Sequence, residues 1–190
     1  MDSALALHWA IEHSASSQVH AWGIDYKQRH ARELESAKAI AGAAWVPFKS
    51  LTARIPWAPI SSDVIPGRNL MLLSIVAAQA ATRHGEPCTL VVGANHADLD
   101  GFLDCRPGFF AAAAKAIALG LGADVSIVTP FIDRTKADLV RYARAEPARW
   151  HALSLSWTCY EGGAKPCGVC GACVKRAAGF AEAGEADPCL

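Results

Sequence analysis

At 190 residues, 52% of them hydrophobic, the chain is long enough to bury a sizeable core. Eighteen Lys+Arg balance eighteen Asp+Glu, which excludes a polyanion-coating role and makes nucleic acid an unexpected partner. No run reaches the roughly 18 apolar residues of a spanning helix. Asp2 and Glu12, with no basic flank, argue against a signal peptide, so the cytoplasm is the expected compartment, with no membrane partner.

Asp2-Ser3 leads straight into a helical pattern that puts Leu5, Ala6, Trp9, Ala10 and His13 on one face. Residues 19–24 read as a short strand. Residues 30–44 form an amphipathic helix, with Leu34, Ala37 and Ala41 on one stripe and Arg32, Glu33, Glu35 and Lys38 off it. The stretch 47–65 holds Pro47, Pro56 and Pro59 with no clear period, and reads as a loop. Pro66 then opens a helix that is apolar nearly all round, and is therefore expected to be buried. Residues 89–93 are a continuous apolar strand, Pro107 opens a helix over 109–121, and 125–128 is another strand. Thr135 and Asp138 have the spacing of a helix-start capping signal.

This rhythm predicts an α/β fold, a parallel sheet sandwiched by helices, over residues 1–150. From Cys159 onward the chain turns to Gly, Cys and Lys, which predicts a small metal-bound C-terminal lobe over 151–190. Four of the seven cysteines, Cys159, Cys167, Cys170 and Cys173, are spaced x7, x2, x2. Four thiols can close a tetrahedron around Zn²⁺, leaving no open position, so the zinc would be structural. Lys165, Lys175 and Arg176 would offset the charge of the tetrathiolate. On spacing alone, disulfides and an iron–sulfur cluster remain alternatives. Cys88 reads as a buried small hydrophobe and Cys189 as incidental.

Three polar clusters follow the inferred strands, where an open parallel sheet keeps its ligand site. They are Asp25 to His30; Pro66-Gly-Arg68-Asn69, at a helix N-terminus suited to phosphate; and the loop with Asn95, Asp98, Asp100, Asp104 and Arg106. Carboxylates for Mg²⁺ and arginine for phosphate suit an anionic nucleotide.

Together these segments resemble the 7-cyano-7-deazaguanine synthases, which make the nitrile precursor of queuosine and belong to the ATP pyrophosphatases of the adenine-nucleotide α-hydrolase fold. The resemblance runs along essentially the whole chain, through DYKQRHARELESAKAIA, IPGRNLMLLSIVAAQA, VVGANHADLDGFLDCRPGFF, TPFIDRTKADLV and the CYEGG-KPCG-C-C-KRAAGF tail. Of the family's Ser-Gly-Gly-x-Asp-Ser phosphate loop, only Met1-Asp2-Ser3 matches. The expectation is a start codon assigned too late, with neighbouring strands left unpaired and an apolar slot between them. Lys27 stands where the family usually has Gly, and the tail is shorter than usual.

The resemblance implies conversion of 7-carboxy-7-deazaguanine, ammonia and two ATP into the nitrile, with structural Zn²⁺, Mg²⁺ and a possible homodimer. By this reading Asp2 and Ser3 meet phosphate, Arg68 and Lys136 meet phosphate or adenylate, and Asn95, Asp98, Asp104 and Arg106 line the deazaguanine and metal side. The alternatives are a zinc-stabilised module that binds a nucleotide or partner without turnover, and a related ATP pyrophosphatase with another substrate.

Overall fold

A computed structural model describes residues 1–15, 18–53, 65–84, 87–99 and 101–189. Behind a leading helix α1 (Asp2–His13), the alternating pattern becomes two β-α-β units. The first is β1 (Ala21–Asp25), α2 (Arg32–Ala43) and β2 (Phe48–Thr52). Helix α3 (Arg68–His84) leads to the second, β3 (Cys88–Val91), α4 (Pro107–Leu121) and β4 (Val125–Val128). Three helices follow: α5 (Lys136–Arg144), α6 (Pro147–Leu155) and α7 (Gly171–Ala183). Both strand pairs are parallel, as a helical crossover requires; Ala21 lies opposite Phe48, and Cys88 opposite Val125. Among the described residues no helix is long and apolar enough to cross a membrane.

Two expectations need correction. Residues 48–52 form β2 and are not loop. None of the five is buried, so neither an apolar run nor an alternation marks the strand; backbone pairing with β1 makes it. Pro47 sits just before it, where a missing N–H disturbs no ladder. Residues 54–64 of that stretch, with Pro56 and Pro59, lie outside the described residues. Helix α3 begins at Arg68, after a turn at Pro66-Gly67, and is not buried all round: among its described side chains only Leu73 and Ala77 are, and Leu70 is 42% exposed.

The reason is the space beside α3. Among the described residues, β1 pairs only with β2, and β3 only with β4. Between β1 and β3 lies a cavity of about 1380 Å³, walled by residues of both strands and by α1, α2 and α3. Leu72 and Val76 of α3 line this space while also packing on the cluster of Ile24 and Tyr26 at the end of β1.

Helix α1 joins the halves. Leu5 is wholly buried with Phe131, Leu139, Val140, Leu153 and Phe180, a cluster drawn from α1, α5, α6, α7 and the segment after β4. Burying one leucine of this kind contributes about 1.5–3 kcal/mol. A second cluster, Leu73, Ala77, Leu90, Phe110 and Ile117, holds α3 and α4 on β3. The start of α1 presses on the residues after β3 so closely that a Cβ at Gly93 would lie 2.5 Å from the Ser3 nitrogen and 2.6 Å from the Asp2 carbonyl carbon.

Gly93→Ala should therefore destabilise the chain by about 1–3 kcal/mol, as overpacking does. Gly120→Ala, in α4 with nothing within 4 Å, should raise stability by up to about 1 kcal/mol. Urea unfolding of both variants checks the pair of signs.

Candidate functional site

The residues singled out from sequence gather where β1 and β3 end and α1, α3 and α5 begin. The backbone ladder continues past β3, with Val92 N–H on the Val128 carbonyl and Asn95 bridging to Phe131. The chain then turns sharply, because Asn95 competes with the backbone as short polar side chains do. Its Oδ1 accepts from Ala97 N–H at 3.0 Å, and its Nδ2 donates to Asp98 Oδ2 at 2.6 Å. Asp98 Oδ2 also accepts the Asn95 N–H at 3.2 Å. Asn95 is wholly buried, and burial pushes the Asp98 carboxyl up, with Lys136 opposing the shift.

Asp2, in the first turn of α1, accepts a 2.5 Å contact from Lys136 Nζ through Oδ2. Its other oxygen, Oδ1, is buried without a hydrogen-bond partner among the described residues. Lys136 opens α5 behind a completed capping box between Thr135 and Asp138. Gly179 of α7 packs on Lys136, where a Cβ would fall 2.5 Å from the lysine Cβ. Lys175 of α7 donates to the Ala97 carbonyl at 3.0 Å. Two carboxylates, two ammonium groups and one orphan oxygen thus share one corner, next to a helix N-terminus. Such a corner suits a phosphate together with a hard divalent cation. Ser3 is exposed.

A second group lies around the start of α3, where Tyr26, Arg68 and Asn69 line the cavity between β1 and β3. The Tyr26 phenol, pushed up by burial, hydrogen-bonds the Arg68 guanidinium at the start of α3. Asp104 Oδ2 accepts the Asn69 backbone N–H at 3.0 Å, capping α3 from a distant loop. Asn69 answers by donating to the Asp104 carbonyl at 2.8 Å and to Cys105 Sγ at 3.4 Å. Burial pushes the Cys105 thiol up to about 11, which favours its protonated form. Arg106 is exposed and donates through Nε to the Leu99 carbonyl at 3.2 Å; among the described residues the rest of its fork has no partner. Asp100 lies outside the described residues. Lys27 has φ +66°, a conformation that costs a non-glycine residue about 1–2 kcal/mol.

The four cysteines meet, with all four Sγ atoms within 4.8 Å of one another. Cys167 and Cys173 Sγ are 3.9 Å apart, close to the ~3.8 Å edge of a tetrahedron with Zn–S bonds of about 2.3 Å. Cys159 Sγ accepts the N–H groups of Glu161 and Cys167 at 3.4 and 3.3 Å, and Cys167 Sγ that of Cys170 at 3.3 Å. Such bonds stabilise thiolates; the amide of Cys170 leads those that bring the Cys167 thiol down to about 7. No disulfide joins these residues. The donor set is compatible with a zinc site.

The family model described as "Queuosine biosynthesis protein QueC" matches residues 1–58 and 52–184. The chain belongs to that family. It is 38% identical over 213 residues to the 7-cyano-7-deazaguanine synthase of Laribacter hongkongensis, covering 100% of this chain and 90% of the relative. The synthase of Chromobacterium violaceum is 36% identical over 208 residues (98% and 88% covered), and that of Thermoplasma acidophilum 34% over 213 residues (99% and 87%).

In this QueC chain, sequence reasoning named most of the clustered residues but misassigned some partners. Arg176 does not offset thiolate charge; it is buried, bidentate to Asp187 at 2.6 and 2.8 Å, and also donates to Ser156 and Thr158. Lys175 turns to Ala97 instead. Gln28 was unmarked beyond its cluster, yet its buried amide accepts the Tyr26 N–H at 2.9 Å and donates to the Ile24 carbonyl at 3.2 Å. A polar residue two positions from a buried tyrosine was the available signal.

Asn95→Ala should cost about 1–3 kcal/mol by leaving the Ala97 N–H and the Asp98 carboxyl without their partner. Chemical denaturation against the parent chain measures it.

Proposed function

We propose that this chain converts 7-carboxy-7-deazaguanine, ammonia and two ATP into 7-cyano-7-deazaguanine, two AMP and two pyrophosphates, in queuosine biosynthesis. The observation that carries the reading is the corner where Asp2, Asp98 and Lys136 converge at the start of α1, with Asp2 Oδ1 buried and unpartnered. Relatives named 7-cyano-7-deazaguanine synthase, similar along nearly the whole chain, support the substrate.

The chemistry explains why positioning suffices. A carboxylate is a poor electrophile because its leaving group would be oxide. Attack of the carboxylate on the α-phosphate of ATP releases pyrophosphate and gives an acyl adenylate; ammonia displaces AMP and leaves the amide. The amide oxygen attacks a second ATP in the same way, and its departure as AMP, with loss of two protons, leaves the nitrile. Both carboxylate oxygens thus depart on AMP, and no acyl-enzyme is required. The protein binds, orients and stabilises charge.

In this scheme Lys136 and the amides at the start of α1 receive the pyrophosphate, beside Asp2 and Ser3. Asp2 and Asp98 would hold Mg²⁺, which fits an orphan oxygen and a second carboxylate, and would neutralise phosphate charge. Asn95 keeps Asp98 in place. Arg68, steadied by Tyr26, contacts the adenylate phosphate. Arg106 offers its free fork to the substrate carboxylate. Asp104 uses one oxygen on Asn69 and offers the other to a guanine-type N–H edge. Cys159, Cys167, Cys170 and Cys173 would hold structural Zn²⁺; four thiols this close support one ion rather than a cluster of irons.

Nucleotide binding without turnover is the second reading, favoured by the open cavity beside β1 and β3. Incubation with 7-carboxy-7-deazaguanine, ammonium and Mg·ATP separates the two. Synthesis predicts two AMP per nitrile, read by chromatography and mass; binding alone predicts none. Arg106→Ala should abolish nitrile formation with metal content unchanged, and normal turnover in that variant would remove the assigned role. Metal analysis should find one zinc per chain, lost in Cys170→Ser.

A further inference from the structure

The proposed reaction releases protons at three points, and no residue placed so far receives them. Ammonia becomes positively charged as it attacks the acyl adenylate, and must lose a proton when AMP departs. The amide then gives up one N–H proton on adenylation and its last as the nitrile forms. A positioned base speeds such transfers, and histidine is the side chain best matched to neutral pH.

His30 and His96 are the histidines beside residues already placed in the site. His96 follows Asn95, is exposed, and has no carboxylate partner for its ring among the described residues. His30 differs. The turn that opens α2 sets Glu33 N–H on the His30 carbonyl at 3.0 Å, which brings the two side chains together. His30 Nε2 lies 3.5 Å from Glu33 Oε1, and the His30 side chain is only 16% exposed. Catalytic hydrogen bonds are commonly this long before substrate binds. The Tyr160 ring flanks the imidazole, centroid to centroid at 5.8 Å.

Glu33 is itself held, because its Oε1 also accepts Gln28 Nε2 at 3.0 Å. Gln28 in turn accepts the Tyr26 N–H, and the Tyr26 phenol bonds Arg68. Polar contacts thus run unbroken from His30 to the guanidinium assigned to the adenylate. Burial raises the Tyr26 phenol and the Glu33 charge adds to that shift; Arg68 feels the same charge. His30, Glu33, Tyr26 and Arg68 all line one cavity. The remaining charges beside His30 are those of Arg29 and Glu161, which pair with each other at 3.3 Å.

We propose that His30, oriented by Glu33, is the catalytic base of the reaction proposed above, on which this role depends. The carboxylate favours the ring proton on Nε2, and the Nδ1 lone pair accepts. In the first transfer the C–N bond forms and a proton passes from nitrogen to Nδ1. The C–O bond to phosphate then breaks, and AMP leaves with the electron pair. In the second, the amide nitrogen loses a proton as its oxygen attacks phosphorus and pyrophosphate leaves. In the third, the imidate nitrogen loses its last proton as the C–O bond breaks and AMP departs. The imidazolium passes each proton to water, so no co-reactant is consumed.

The test compares the full chain with its His30→Gln, His30→Ala and Glu33→Gln variants. Exchange of labelled pyrophosphate into ATP, with 7-carboxy-7-deazaguanine and Mg²⁺ but no ammonium, reads the first adenylation, which needs no base. His30→Gln should keep that exchange within about twofold, while kcat for amide and nitrile falls about 10²–10⁴-fold. Glu33→Gln should lower kcat by a smaller factor, and added imidazole should restore part of the loss in His30→Ala. Nitrogen-15 spectra, which need no turnover, should show the neutral His30 ring protonated at Nε2. Equal nitrile formation by His30→Gln and the parent, exchange lost in step with nitrile, or a ring proton on Nδ1 would each overturn the base alone. A parent chain that exchanges no pyrophosphate would overturn the reaction, and the base with it.

Discussion

The burial of helix α1 is the constraint on which the remaining architecture depends. Two strand pairs that share no backbone hydrogen bond cannot hold each other in register, so side-chain packing must do it. α1 supplies that packing: Leu5 and Ala6 belong to the core with α5, α6 and α7, while Ala4 meets Ile40 of α2 and Ala10 meets Val19 and Val46. Small residues dominate the buried face, Ala4, Ala6 and Ala10 among them, which lets backbones approach closely on several sides. Gly93 extends the same device to the end of β3. The consequence is functional, because the residue carried into that contact is Asp2.

Electrostatics at this corner works against stability as much as for it. Lys136 and Asp2 are only 13% and 21% exposed, so their pairing offsets desolvation rather than adding a large surplus. Asp98 shows the opposing term openly. Its folded-state pKa lies above that of an exposed carboxylate because burial outweighs Lys136. The folded chain therefore holds this proton more tightly than the unfolded chain does. Stability from this group is greatest below the ordinary Asp range and declines as pH climbs through the raised value. A cation between Asp98 and the orphan oxygen of Asp2 reverses that sign. Under the proposed reading, a cation there would favour the ionised carboxylate that burial opposes.

What could be read from sequence follows from how local each signal is. Pro107 at the first turn of α4, the apolar run of β4 and the Thr135–Asp138 capping box are set by neighbours in the chain, and each appears as expected. The four cysteines were legible because thiol ligation leaves a spacing. β2 was not, because an edge strand with Lys49 and Ser50 takes its conformation from β1 rather than from its own pattern. α6 and α7 carried no expectation from sequence, although Pro147 occupies a favourable first-turn position. The partners of Asp104 and Gln28 were invisible for a further reason. Asp104 reaches a residue 35 positions away, and the Gln28 amide substitutes for a strand edge, which no composition rule anticipates.

Helix α7 connects the metal centre to this corner. Cys170 caps α7 and Cys173 lies in its first turn, so an ion held by the four thiols fixes where the helix starts and how it is rotated. Two residues on from Cys173, Lys175 reaches the carbonyl of Ala97, inside the turn that Asn95 and Asp98 build. Arg176, buried, fastens the same turn of helix to Asp187, Ser156, Thr158 and the Leu153 carbonyl. One turn further, Gly179 packs against Lys136. A single rigid element thus sets the position of both ammonium groups at the corner. An ion held by the four thiols would orient this helix, and loosening the helix would disturb Lys136 and the Asp98 turn together.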